Sequence, residues 1–261
     1  MRTGRGVRLT EAGEILEGYA DRLLKVWDEA HDDIATFLGE SSGTLEVGAV
    51  TTDECLLPRV LVNFANENPR VKVKLQVGNR DAIVRKLVAQ EIDLAVMGQP
   101  PHELKVAAAG FAKNVVAFVS APNHALMSHC NPTLETLADA RLLVRERGSG
   151  SRATVERIFK EAGLRLRIGS ELSSNESIKQ MCVAGFGPAY LSLQSCALEI
   201  DAGQLCVIPM PNNPFDREWF VVRLASKEMP RIATTFEQFL CLSGEREIRN
   251  LLPAQWRPDG A

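Results

Sequence analysis

Two short stretches carry the side chains best suited to chemistry, and the chemistry they suit is anion binding. In Arg147-Gly148-Ser149-Gly150-Ser151-Arg152, two glycines let the backbone approach a ligand, two serines add hydroxyl donors and two arginines add charge. The run lacks the Gly-Lys-Ser/Thr of a Walker loop and the complete dinucleotide fingerprint. Read alone, it fits an exposed turn equally well, with Arg147 paired to Glu146, Glu171 or Glu176. The second stretch is Val50-Thr51-Thr52-Asp53, where a strand gives way to a helix. Backbone N–H groups at such a junction face the strand's carboxyl edge, where open α/β sheets bind ligands. Thr51 and Thr52 can donate to an anion or cap the helix, and Asp53 opposes an anion. Gly98-Gln99-Pro100 follows another apolar run, and Asn175-Glu176 opens a further helix. Gln99 and Asn175 are placed to orient a polar ligand or to be satisfied by backbone, whereas Glu176 suits a capping or hinge role.

The remaining reactive residues suggest neither catalysis nor a metal. The six cysteines, Cys55, Cys130, Cys182, Cys196, Cys206 and Cys241, include no C-x-x-C pair. His124 and His129 lack the i, i+4 spacing of a helical zinc pair. Scattered thiols suit a reducing, cytoplasmic setting, and no catalytic residue, metal or obligatory cofactor is expected. The formal charge of −3 is unlike a wholly basic nucleic-acid binder. With 45% hydrophobic and 24% charged residues, the 261-residue chain can bury a core in one or two domains. The opening is basic without an apolar run, so no signal peptide is expected. The uncharged stretch from Gln180 to Leu198 is interrupted by Gly185, Gly187 and Pro188. It reads as helix end, turn and strand rather than a membrane span.

The elements that must hold these residues begin after a basic arm carrying Arg2, Arg5 and Arg8. Thr10 offers an N-cap with Glu11 and Glu14 in the first turn. Apolar residues then recur as Leu9, Ala12, Leu16, Tyr19, Leu23, Val26 and Ala30, a heptad seam widened by Ile15, Leu24, Trp27, Ile34 and Phe37. A helix is expected from Thr10 to about Leu38, with Gly39 and Ser41-Ser42-Gly43 as stop and linker. Its seam suits a second copy, with packing on its own domain as the alternative. Beyond the linker, strands at Leu45–Val50, Val71–Val77 and Ile92–Met97 alternate with helices at Cys55–Asn66 and Asp81–Gln90. That order argues for a parallel α/β sheet. A second α/β set has strands at Val115–Ser120, Leu142–Arg145, Arg167–Leu172, Ala189–Ser192, Leu205–Met210 and Trp219–Leu224. Its helices are expected at Leu134–Ala138, Arg152–Ala162, Glu176–Ala184, Gln194–Asp201 and Arg231–Leu240. The end from Leu251 reads as disordered.

Gly6-Val7-Arg8-Leu9-Thr10-Glu11-Ala12-Gly13 resembles the wing-to-linker-helix junction of LysR-type transcriptional regulators. Thr51-Thr52, Leu57-Pro58, Val77-Gly78-Asn79-Arg80 and Glu91-Ile92-Asp93-Leu94-Ala95-Val96-Met97-Gly98 resemble their effector domain. Three stretches are similar to the Rubisco-operon regulators of that family: Val96 to Pro101, Leu143 to Arg152 and Gly169 to Gln180. The resemblance implies an α/β fold with two Rossmann-like subdomains of the periplasmic-binding-protein type, joined by two crossovers. The crossings are expected near Lys113–Val116 and Phe215–Trp219. The implied plan is a wing remnant (1–9), a linker and dimerisation helix (10–39), an effector domain (44–243) and a tail (244–261). Subdomain I would cover 44–114 and 217–243, and subdomain II 115–216.

The resemblance further implies that the effector is a phosphorylated metabolite of carbon fixation, such as ribulose 1,5-bisphosphate, phosphoglycerate or phosphoenolpyruvate, or NADPH. The expected effector-binding residues are Thr51, Thr52, Gly98, Gln99, Pro100, Arg147, Gly148, Ser149, Ser151 and Asn175. Self-association to a dimer or tetramer would run through Leu16, Tyr19, Leu23, Val26 and Trp27. Arg2, Arg5 and Arg8 would touch DNA phosphates without reading bases. Most of the family's winged helix-turn-helix is absent from these residues, so operator recognition is expected only when that domain is present. A two-lobed solute-binding protein, or an enzyme using the same cleft, are the competing classes. Export would favour the first and turnover the second.

Overall fold

The computed structural model describes residues 2–3, 6–7, 9–37, 43–53 and 56–257. Arg5, Arg8, the Ser41-Ser42 linker and Cys55 lie outside the described residues. The arm contains two-residue strands β1 (Arg2–Thr3) and β2 (Gly6–Val7), paired antiparallel. Helix α1 runs Glu11–Phe37, and Thr10 begins it as expected, its Oγ1 accepting from Gly13 N at 3.1 Å.

The next elements alternate as the apolar periodicity predicts: β3 (Gly43–Val50), α2 (Leu57–Glu67), β4 (Val71–Gly78), α3 (Arg80–Val88) and β5 (Leu94–Met97). β3 lies between β4 and β5, parallel to both. Pro58 sits in the first turn of α2, where its missing N–H breaks no bond. Then come β6 (Val106–Ser120), α4 (Leu134–Asp139), β7 (Leu142–Arg145), α5 (Gly150–Glu161), β8 (Ile168–Leu172), α6 (Asn175–Val183) and β9 (Ala189–Ser192). The chain continues through α7 (Ala197–Asp201), β10 (Cys206–Val207), β11 (Phe215–Leu224) and α8 (Arg231–Arg249).

All the strands from β3 onward join one sheet, ordered β4-β3-β5-β11-β6-β9-β7-β8, with β10 beside β6. The crossings are the long antiparallel strands β6 and β11, paired from Phe215↔Val116 to Leu224↔Val106. One core surrounds the β4-β3-β5 end, with Leu45, Phe64, Ile83, Leu94 and Trp219 fully or almost fully buried. At the other end, alternating side chains of β6 feed two cores. Val115, Ala117 and Val119 enter one, while Val116 and Phe118 enter the other, with Val155 and Phe159 of α5. A sheet packed on both faces produces this period-two split.

Three expectations change. The first half of β6, Val106 to Ala112, was not anticipated, because Ala107-Ala108-Ala109-Gly110 shows no alternation; pairing with β11 makes it a strand. The strand expected over Leu205–Met210 shrinks to β10. The Asn213 side chain takes over beside β6, accepting from Phe118 N at 2.9 Å and donating to Phe118 O at 3.0 Å. The expected disordered end is ordered through Arg257. α8 runs nine residues past Leu240, burying Ile248 in the first core. Leu252 and Trp256 then pack on the second lobe, and Asp201 Oδ1 accepts from Ala254 N at 2.8 Å. The residues expected as tail therefore bind both lobes.

Candidate functional site

The carboxyl ends of the strands meet at a cavity between the lobes, enclosing about 610 Å³ including its open mouth. The sheet register builds its floor. Arg217 lies opposite Asn114 on the crossing strands, and Val116 lies opposite Ser192 on β9. Alternation puts Trp219 on the same face as Arg217 and Tyr190 on the same face as Ser192, and all of these residues line the cavity. The first lobe contributes Thr51 and Thr52, Asn79 and Arg80, and Gly98 and Gln99. The second contributes Ser149, Gly150, Ser151 and Thr154 from the start of α5.

Thr51 and Thr52 lie in a 3-10 turn of their own, and the N-cap of α2 is Leu56. The capping alternative therefore does not describe them. Ser149 occupies the N-cap of α5 without a side-chain capping bond, and the first backbone bond of the helix is Ala153 N to Ser149 O at 3.1 Å. First-turn amides, with the positive end of the helix dipole, thus face the cavity. Thr51, Thr52, Gly98, Gln99, Ser149 and Ser151 are brought together as the sequence suggested.

The structure puts the other expected residues elsewhere. Arg147 is exposed and does not line the cavity. The acids considered as its partners pair with other bases: Glu146 with Arg145, Glu171 with Arg152, and Glu176 with Lys179. Pro100 and Gly148 are also outside the lining. Gly148 meets the opposite lobe rather than a ligand. Its O accepts from Asp81 N at 3.2 Å, and its φ is +85° with a hypothetical Cβ 2.8 Å from Asp81 Oδ2. Asn79 Nδ2 donates to Glu146 Oε1 at 3.1 Å beside this contact. The loop read as a ligand cradle therefore lines the cavity with Ser149 to Ser151 and joins the two lobes at Gly148. Asn175 lies behind it, accepting from Arg145 Nη1 at 2.7 Å.

Burial alone would raise the Glu146 carboxyl, but hydrogen bonds from Arg145, its own backbone and Asn79, with the Arg145 charge, hold it below the usual carboxylate range.

The residues that sequence reasoning missed are those on the floor. Arg217 is its cation, and Arg80 lines the cavity from the start of α3 in the first lobe. Arg80 is already engaged, with Glu103 at 3.1 Å and Asp81 at 3.5 Å. Arg217 has no carboxylate partner among the described residues. Tyr190 and Trp219 are 6% and 1% exposed, and Trp219 Nε1 meets no hydrogen-bond partner among the described residues. Burial pushes the Tyr190 phenol up, and the Arg217 and Arg157 charges, with a side-chain hydrogen bond from Arg217, draw it partly back. The available signal was alternation along the crossing strands, which places Asn114, Arg217 and Trp219 on one face.

Among the described residues, no His/Cys/Asp/Glu group could hold a metal. Cys182 and Cys196 are buried thiols pushed up to about 12 by desolvation, which suppresses thiolate chemistry. No helix of the described residues is long and apolar enough to cross a membrane.

Comparison with known proteins gives the same picture. Residues 38–241 match the LysR substrate binding domain. The HTH-type transcriptional activator CmpR of Synechocystis sp. is 34% identical over 237 residues, spanning 91% of this chain and 78% of CmpR. The RuBisCO operon transcriptional regulator of Acidithiobacillus ferrooxidans is 32% identical, spanning 96% of this chain and 81% of that protein. The regulatory domain of Synechocystis CcmR, solved in complex with 2-PG, superposes with a TM-score of 0.73 at 30% identity. That match covers 77% of this chain and 97% of the CcmR domain.

Proposed function

The chain belongs to the LysR family of transcriptional regulators, and from that membership we propose that it senses a small phosphorylated effector in the cleft between its lobes and regulates carbon-fixation genes. The observation that carries this reading is the open start of α5. Gly150 and Ser151 line a cavity that also receives Thr51 and Thr52 from the other lobe. Helix amides and hydroxyls arranged in this way satisfy phosphoryl oxygens. The names of two relatives point to the RuBisCO operon, and the 2-PG held by the CcmR domain is a small ligand rather than a nucleotide. NADPH finds no such support.

The protein acts as a switch rather than an enzyme. A ligand gripped by both lobes favours their closed arrangement, because it makes both sets of contacts only there. In this reading, the exposed seam of α1 pairs with a second copy, and the lobe angle alters how the assembly presents its DNA-binding parts. The setting is cytoplasmic.

Calorimetry of the wild type and Thr52→Val with phosphoglycerate tests the effector site. The wild type should bind, and Thr52→Val should bind about tenfold more weakly for the loss of one charge-assisted hydrogen bond. A folded wild type that binds no phosphorylated acid contradicts the assignment.

A further inference from the structure

We propose that Asn79 and Glu146 form a latch across the rim of the cavity, one that holds the two lobes together through protein groups alone and so prepares the cleft before an effector enters. The first lobe supplies its half from the start of α3. Asn79 is the N-cap of that helix, and its Oδ1 accepts from Ala82 N at 3.0 Å. The cap fixes the amide and turns Nδ2 outward, where it donates to Glu146 Oε1 of the other lobe at 3.1 Å. Asp81, the second residue of α3, donates its backbone N–H to Gly148 O at 3.2 Å. First-turn amides have no acceptor inside their own helix, and this one takes its acceptor from across the cleft.

The second lobe holds Glu146 rigidly for this purpose. Arg145 is 2% exposed, and it donates from Nε to Glu146 Oε2 at 2.8 Å and from Nη2 to Oε1 at 3.0 Å. Two parallel bonds of this kind fix a carboxylate in the plane of the guanidinium. The remaining Nη1 is anchored on Asn175 Oδ1, at the start of α6. The latch therefore runs from the cap of α3 in one lobe, through Glu146 and Arg145, to the first residue of α6 in the other.

Its place in the sheet gives it leverage. β4, which ends just before Asn79, lies three places from the crossing strand β11, and β7, which ends just before Glu146, lies two places from the crossing strand β6. At a strand spacing of about 4.8 Å, turning one lobe by about 10° about the crossing strands parts the two sides by about 2 Å. That movement breaks both bonds, so the latch opens at the first stage of lobe opening. An effector's apparent Kd is its intrinsic Kd divided by the fraction of chains in the competent arrangement. A latch that raises the joined fraction therefore tightens binding without touching the effector. This consequence, unlike the contact itself, rests on the proposed function of the cleft.

Amide exchange followed by NMR on the 261-residue chain, with no ligand added, reads the latch directly. The Asp81 N–H is bonded to the other lobe, whereas that of Ile83 is bonded to Asn79 O within its own helix at 3.0 Å. The ratio of the two rates separates lobe opening from fraying of α3. Asn79→Ser keeps a capping oxygen but loses the donor that crosses the cleft, and Asn79→Asp keeps the cap while setting a second carboxylate against Glu146. Asp81 exchange relative to Ile83 should rise about threefold in Asn79→Ser and about tenfold or more in Asn79→Asp. Gly148→Ala, outside the cavity lining, should raise the ratio as well and weaken phosphoglycerate binding by a similar factor in calorimetry. An unchanged ratio in Asn79→Asp overturns the latch, and so does a Gly148→Ala chain that opens without losing affinity. A wild type that binds no phosphorylated acid overturns the effector reading instead, and the exchange ratio still decides the latch.

Discussion

Gly148 shows how one residue can be read correctly for its backbone and wrongly for its partner. The sequence motif implied a close approach, and the structure contains one, but to Asp81 of the opposite lobe. Gly148→Ala would add a Cβ at φ +85°, 2.8 Å from Asp81 Oδ2. The dihedral alone costs about 1–2 kcal/mol, and the collision should also push the lobes apart. Gly163→Ala is the control, with φ +68° and no atom within 4 Å of the new Cβ. Chemical denaturation should show similar backbone costs for both variants. Only Gly148→Ala should weaken effector binding several-fold; equal affinities in the two would remove the latch.

At this scale the site was half legible in the sequence. Thr51, Thr52 and Ser149 follow strands, Ser151 lies in the first turn of α5, and Gly98 and Gln99 lie in the turn between β5 and β6, positions that composition marks out. Asn114, Arg217 and Trp219 lie within strands, where only alternation distinguishes a cavity-facing residue from a core one. Arg147 drew attention by its charge, but it lies just before the turn that faces the cleft.

Among the elements, the C-terminal segment departs most from expectation. Pro253 and Pro258 signalled disorder, yet the four-residue apolar spacing of Phe236 and Leu240 continues to Gly244 and Ile248 along one buried face of α8. Leu252 then docks at 8% exposure against the other lobe. The segment spans the hinge on the face opposite the effector cavity, because Lys113 and Val115 face it while Asn114 and Val116 face the cavity. Leu252→Ala should destabilise the chain by about 2–3 kcal/mol, as for a buried leucine. Urea unfolding measures this directly, and a loss below about 0.5 kcal/mol would fit the disordered tail that the prolines suggested. The βα alternation of both lobes, by contrast, was legible because each strand and helix carries its own hydrophobic period. β6 was only half visible, because its pairing with β11, distant in sequence, is what makes its alanine-rich half a strand.

For the whole molecule, α1 presents Leu16, Tyr19 and Leu23 at 58–71% exposure, an apolar stripe that water does not favour. The double variant Leu16→Glu, Leu23→Glu should shift the protein toward monomers in sedimentation velocity, while an unchanged dimer would place the main contact elsewhere. Val26 and Trp27, also exposed, extend the same face. The central claim is that both lobes close on a phosphorylated effector, and hydrogen exchange measured by mass spectrometry with and without phosphoglycerate tests it most directly. Slower exchange is predicted together at residues 51–53, 98–99 and 149–154, from opposite sides of the cleft, and along the crossing strands. Exchange that slows in only one lobe, or nowhere, at saturating phosphoglycerate would contradict the account.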